Sequence, residues 1–131
     1  MSSAPPLLPK PRQGEIWYTR IPTDPADYYA RPVVIVSLDA RNQSERANTV
    51  LVVPLSTTVR NPLPATNLRL SPGETGLRET SELQASGITT ISKRQLKQPR
   101  EKLRQLNRTQ IKAVAQLVAL AMGILPEELL E

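Results

Sequence analysis

"RPVVIVSLDARNQSERANTVLVVPLS", residues 31–56, holds two apolar runs separated by a polar stretch. Both runs are rich in β-branched residues and neither alternates strictly between apolar and polar. That pattern predicts strands covered on both faces, in the middle of a small barrel or sandwich. Proline inside a sheet is confined to strand starts, edges and bulges, so Pro32 should open one strand and Pro54 should mark the fraying end of the other. If the runs pair as consecutive antiparallel strands with Leu38 opposite Thr49, Arg31 falls opposite Ser56, with Thr57 and Thr58 within a residue or two of the same position.

A guanidinium beside hydroxyls at strand ends suits a phosphate, because the planar fork of arginine matches its oxygens and hydroxyls can orient them. An equal reading pairs Arg31 with a loop acid, Asp27 or Asp24, and leaves Ser56 and Thr57 to satisfy turn backbone groups. Pairing alone does not choose between them.

Working outward, "GEIWYTR" (14–20) predicts a first strand with Ile16 and Tyr18 on one face and Trp17 on the other. "IPTDPADYYA" reads as a loop. Further strands are expected near Thr66–Leu70, Ser81–Gln84, Ile88–Ile91 and Glu101–Leu103, with a helical turn near Lys93–Leu96. Asn107 can cap a final helix with Gln110 at the reciprocal capping-box position, and Gly123 followed by Pro126 ends it. Its stripe of Ile111, Val114, Ala115, Val118, Ala121 and Met122 predicts core packing, and Leu117 and Leu120 widen it enough for self-association. Short strands followed by a terminal helix predict a mainly β fold with some α, a small barrel with appended helices.

The chain has 131 residues, enough for one domain that buries roughly two thirds of its unfolded surface. Residues 1–13, with four prolines, are expected to form a disordered arm. The domain would span 14–123, followed by an acidic and apolar tail at 124–131. There is no Cys and no His, which excludes thiol nucleophiles, cysteine zinc sites and the usual neutral-pH acid/base group. The longest nearly apolar run, Ala113–Leu125, is short of the ~20 residues of a membrane span, so a soluble cytoplasmic protein without membrane attachment is expected. The net charge is +5, and residues 93–112 alone hold eight Lys or Arg against the single acid Glu101. Such a block is either a solvated face or a patch for a polyanion.

Taken together, "GEIWYT", the Arg-Pro-apolar strand at 31, "TVLVVPLSTTVR", "GLRETS" with "ITTISKRQL" and the closing helix resemble the MazF/PemK family of toxin endoribonucleases. The resemblance implies an SH3-like β-barrel with a short helix and a C-terminal helix, the architecture also of CcdB-like toxins, usually as a homodimer. It implies cleavage of single-stranded RNA without metal or cofactor, and control by a cognate antitoxin with an acidic, extended tail. Carried over position by position, it assigns Arg31 and Ser56 to catalysis, with Thr57 in support and Asp27 as the base. RNA contacts would come from Arg94, Lys97, Arg100 and Arg104, with Tyr28 and Asn67. The chain departs from the family pattern at Ser86, Gly87, Ile88 and Thr89, where many members carry Asp-Gln-apolar-Arg, and at Asn67, where some carry His. Those losses keep two alternatives in view: a gyrase-poisoning CcdB-like toxin and a catalytically silent RNA- or partner-binding module.

Overall fold

The computed structural model describes residues 7–21 and 29–130. Six strands build the sheet: β1 (Ile16–Thr19), β2 (Arg31–Ile35), β3 (Thr49–Ser56), β4 (Asn67–Leu70), β5 (Ser81–Gln84) and β6 (Thr89–Ser92). The order is β1-β2-β3-β5-β4, all antiparallel, with β6 also on β3. Among the described residues three α-helical segments accompany it: α1 (Asp39–Asn42), α2 (Pro72–Thr75) and α3 (Arg108–Ala121).

The β2–β3 register is the one expected, with Val33 opposite Pro54, Val34 opposite Val53 and Ile35 opposite Val52. Alternating side chains put two cores on the two faces of this pair. Val34, Val53 and Leu55 join Leu70, Leu83, Leu106, Ile111 and Val114 on the face that α3 covers. Val33, Ile35, Val50 and Val52 meet Trp17, Ile21, Ile91 and Leu96 on the other. This double burial is why neither run alternates in sequence. The opposite facings of Ile16 and Trp17 follow the same division.

β3 is long because it serves two ladders on the edge away from β2. Its first half pairs with β6, ending at Val52–Thr89, and its last residues pair with β5 at Leu55–Leu83 and Ser56–Glu82. Pro54 therefore sits inside the strand, not at a fraying end. It falls in the gap between the two ladders, where its missing N–H deprives no neighbour. Gly87, in the Ala85–Gly87 turn that links β5 to β6, passes so close above it that a Cβ there would lie 2.9 Å from Pro54 Cγ.

Several other expectations are revised. Among the described residues the barrel does not close: after β6 the chain returns to β1 at an isolated bridge, Tyr18 to Lys97. Residues Glu101–Leu103 form no strand. α1 and α2, four residues each, are too short to leave a helical period in the sequence. The capping box of α3 forms as expected, with Asn107 Oδ1 accepting from the Gln110 N–H at 2.8 Å. Its buried face is narrower than the apolar stripe: Ile111, Val114 and Ala119 are buried, whereas Ala115, Ala121 and Met122 are exposed. Residues 10–13, placed in the arm on sequence, bond to the domain. Gln43 Nε2 donates to Pro11 O at 2.8 Å, and the Gln13 N–H donates to Asp39 Oδ1 at 2.7 Å.

Candidate active site

In the β2–β3 ladder the Val36 N–H donates to Leu51 O at 2.9 Å, and every second pair beyond it repeats the arrangement. Two steps on, the pair is Pro32 with Leu55. Proline has no N–H to give, so the Leu55 carbonyl lacks its ladder donor. Arg31 Nη2 supplies one at 3.3 Å. The dipeptide Arg-Pro thus explains itself locally: the proline opens a position in the ladder and the preceding arginine folds over it.

Continued to the strand ends, the register sets Arg31 level with Ser56. It runs on across the sheet, since Ser56 pairs with Glu82 and Glu82 with Arg69. One row therefore reads guanidinium, hydroxyl, carboxylate, guanidinium on a single face. The neighbouring row, Leu55–Leu83–Leu68, faces the α3 core instead.

Glu82 is 1% exposed. Its Oε2 accepts from the Arg60 N–H at 2.7 Å and from Arg69 Nη2 at 3.1 Å, and its Oε1 accepts from Asn67 Nδ2 at 3.1 Å. Burial pushes its carboxyl up, but the Arg60 N–H, the Asn67 amide and the Arg69 guanidinium outweigh burial and hold it below the usual carboxylate value of 4.5. A carboxyl depressed in the folded state stabilises the protein above its unfolded value and loses that contribution as pH falls through the lower folded value. The stability advantage of the native chain over Glu82→Gln should therefore shrink below about pH 4.5 in thermal melts. A gap that stays constant from about pH 6 to about pH 3 would contradict this assignment.

Thr57, just past the strand end, lines a different cleft of about 450 Å³ with Tyr18, Pro32, Arg78, Glu79 and Glu101. Tyr18 Oη donates to Glu101 Oε1 at 3.2 Å. Burial, then the Glu101 carboxylate, raises the Tyr18 hydroxyl above its usual value, which keeps it a donor. Arg31 and Ser56 are brought together on one face, and Thr57 opens onto this cleft.

Residues 12–122 match the family of PemK-like, MazF-like toxins of type II toxin-antitoxin systems. The chain belongs to that family. No curated protein matches the sequence. A solved endoribonuclease in complex with its cognate antitoxin from Mycobacterial species is similar at 26% identity, covering 86% of this chain and 95% of that one, with a TM-score of 0.64. The Mycobacterium tuberculosis toxin MazF-mt6 is 23% identical over 84% of this chain and 97% of its own, with a TM-score of 0.64. A MazE-MazF structure from Deinococcus radiodurans is 14% identical over 88% and 98%, with a TM-score of 0.65. At these lower identities the last two establish the fold alone.

In this MazF-like chain the basic block divides. Arg94, Lys97, Arg100 and Arg104 are exposed. Lys93 is buried, and its Nζ donates to Arg41 O at 2.9 Å and Ser44 O at 2.7 Å, where α1 ends. Burial, with Arg41 and Lys10 nearby, lowers its ammonium below the usual value. Lys93 is thus a helix C-terminal ligand, not part of a polyanion patch. Asn67 is 8% exposed and gives its amide to Glu82, so it acts inside the toxin and not at its surface. Asp27, Asp24 and Tyr28 lie outside the described residues. Sequence reasoning missed Glu82 and Arg69, although extending the register argument from β3 to β5 and β4 would have found both.

Proposed function

We propose that this toxin is an endoribonuclease that cuts single-stranded RNA by transphosphorylation and needs no metal. The observation that carries the reading is Arg31 set level with Ser56 at the end of the β2–β3 ladder, the guanidinium and hydroxyl that the family resemblance assigns to catalysis. The 2′-oxygen of the substrate bonds to the adjacent phosphorus and the phosphorus–O5′ bond breaks. The products are a 2′,3′-cyclic phosphate and a 5′-hydroxyl. Arg31 stabilises the charge that builds on the phosphoryl oxygens, an effect worth roughly 3–4 kcal/mol for one well-placed donor. Ser56 orients the phosphate, with Thr57 in support. Asp27 is the proposed acceptor of the 2′-proton, and the departing O5′ takes up a proton as it leaves.

Arg94, Lys97, Arg100 and Arg104, with Tyr28, provide the cationic and aromatic track for the strand. A cognate antitoxin with an acidic, extended tail would occupy that track and silence the enzyme, which acts as a homodimer in the cytoplasm. Among the described residues no helix is long and apolar enough to cross a membrane.

Purified toxin free of antitoxin should cut single-stranded RNA in EDTA and leave cyclic phosphate ends. A requirement for added Mg²⁺, or 5′-phosphate products, would overturn the mechanism. Incubation with supercoiled DNA and gyrase, giving trapped cleavage complexes and no RNA products, would instead identify a gyrase poison.

A further inference from the structure

We propose that Arg60 and Arg69, held in place by the buried Glu82, form a second phosphate-binding position for the RNA strand, on the far side of Ser56 from Arg31. The proposal rests on the endoribonuclease reading above and adds to it a site that the family assignments do not contain.

The row Arg31–Ser56–Glu82–Arg69 crosses four strands on one face. With neighbouring strands about 4.8 Å apart, its two guanidinium residues stand about 14 Å apart at the backbone, and Ser56 lies between them. A nucleic-acid strand laid across the row meets a cation at each end.

Glu82 does not neutralise the far end. One carboxylate faces two arginines, and it holds them in different ways. Arg60 is held by its main chain: its N–H donates to Glu82 Oε2, and its carbonyl accepts from Arg69 Nη2 at 2.5 Å. Those bonds consume none of the Arg60 guanidinium, and Arg60 is exposed. Arg69 makes both of its bonds through Nη2, and its side chain remains 39% exposed on the edge strand β4.

Stability alone does not require a carboxylate here, since well-packed apolar residues commonly replace a buried ion pair without loss. What Glu82 contributes is placement: it fixes the start of the 57–66 loop immediately after the catalytic hydroxyl. Ser56 Oγ accepts from the Thr58 N–H at 3.1 Å two residues earlier, so the main chain is tied on both sides of Val59. Arginine is the suitable residue for this position, because its fork binds phosphate oxygens in pairs.

The test uses a mixed-sequence, uniformly 2′-O-methylated RNA oligonucleotide that cannot be cleaved, titrated from about 50 to about 200 mM salt. Each of Arg60→Gln and Arg69→Gln should flatten the slope of log K against log salt by roughly 0.7, and the double variant by about twice that. On cleavable RNA, KM should rise while kcat is retained, since the contact is uniform between ground and transition states. Arg69→Lys should keep the slope yet bind more weakly, because it retains charge and loses the fork. Should Arg69→Gln fold poorly, Arg60→Gln still reports, because its side chain takes no part in the Glu82 bonds.

Wild-type protein that binds and cleaves, with the Arg60 and Arg69 variants unchanged in slope and KM, would overturn the phosphate position and leave the nuclease reading intact. Flattened slopes with no cleavage by wild type would support the phosphate position and remove the nuclease. A wild type that neither binds nor cuts RNA would overturn both.

Discussion

Arg31→Ala is expected to slow RNA cleavage by roughly 10²–10³-fold while changing the free energy of unfolding by less than about 1 kcal/mol. The two magnitudes have separate causes. One of the side chain's contacts is a donation to Leu55 O at 3.3 Å, near the long limit for such a bond. It lies at a strand end where the residue is half-buried, so water can replace the lost donor. In the reaction the same guanidinium would meet charge that exists only in the transition state, where one donor counts for far more. Single-turnover kinetics and urea unfolding of the same preparation decide the matter. A stability loss of ~3–5 kcal/mol, the range for breaking a buried pair, would return Arg31 to a structural ion pair.

Lys93→Met should do the opposite. Removing an ammonium that donates to the Arg41 and Ser44 carbonyls gives up two charge-assisted hydrogen bonds, at a cost of about 3 kcal/mol in denaturant unfolding. The salt dependence of RNA binding should not change, because Lys93 does not reach the surface. A flattened slope with unchanged stability would put Lys93 back among the phosphate contacts.

These two residues show where the sequence could be read and where it could not. The β2–β3 register was legible to within a residue or two because both strands are apolar on both faces and consecutive, and the pairing observed is the one that sets Arg31 level with Ser56. Pro54 was misjudged because a strand that changes partners midway leaves no local mark; the partners, Thr89 and Leu83, lie about thirty residues downstream. Lys93 looked like one more solvated charge, since a lysine that caps a distant turn differs in no local way from one that faces water. Glu82 was hidden by the same logic: an acid in "SELQ" reads as the exposed face of a short strand, and its partners Arg60, Asn67 and Arg69 come from across a loop. Ser86 and Gly87, where the resemblance led to an expectation of Asp and Gln, mark a turn pressed against Pro54, where a larger residue at 87 would collide.

The divided pairing of β3 also orders events in time. Its contacts with β2 close a loop of about a dozen residues, whereas those with β5 and β6 must wait for chain made roughly thirty to forty positions later. Loop-closure entropy grows with length and non-local pairing slows folding. During synthesis the β2–β3 hairpin, and with it the level placement of Arg31 and Ser56, is thus expected before Glu82 and Arg69 have been joined to it. A nascent chain would hold its proposed cleaving residues in register early but complete its sheet only when the downstream strands arrive, so the row that joins Ser56 to Glu82 and Arg69 is the later part to assemble.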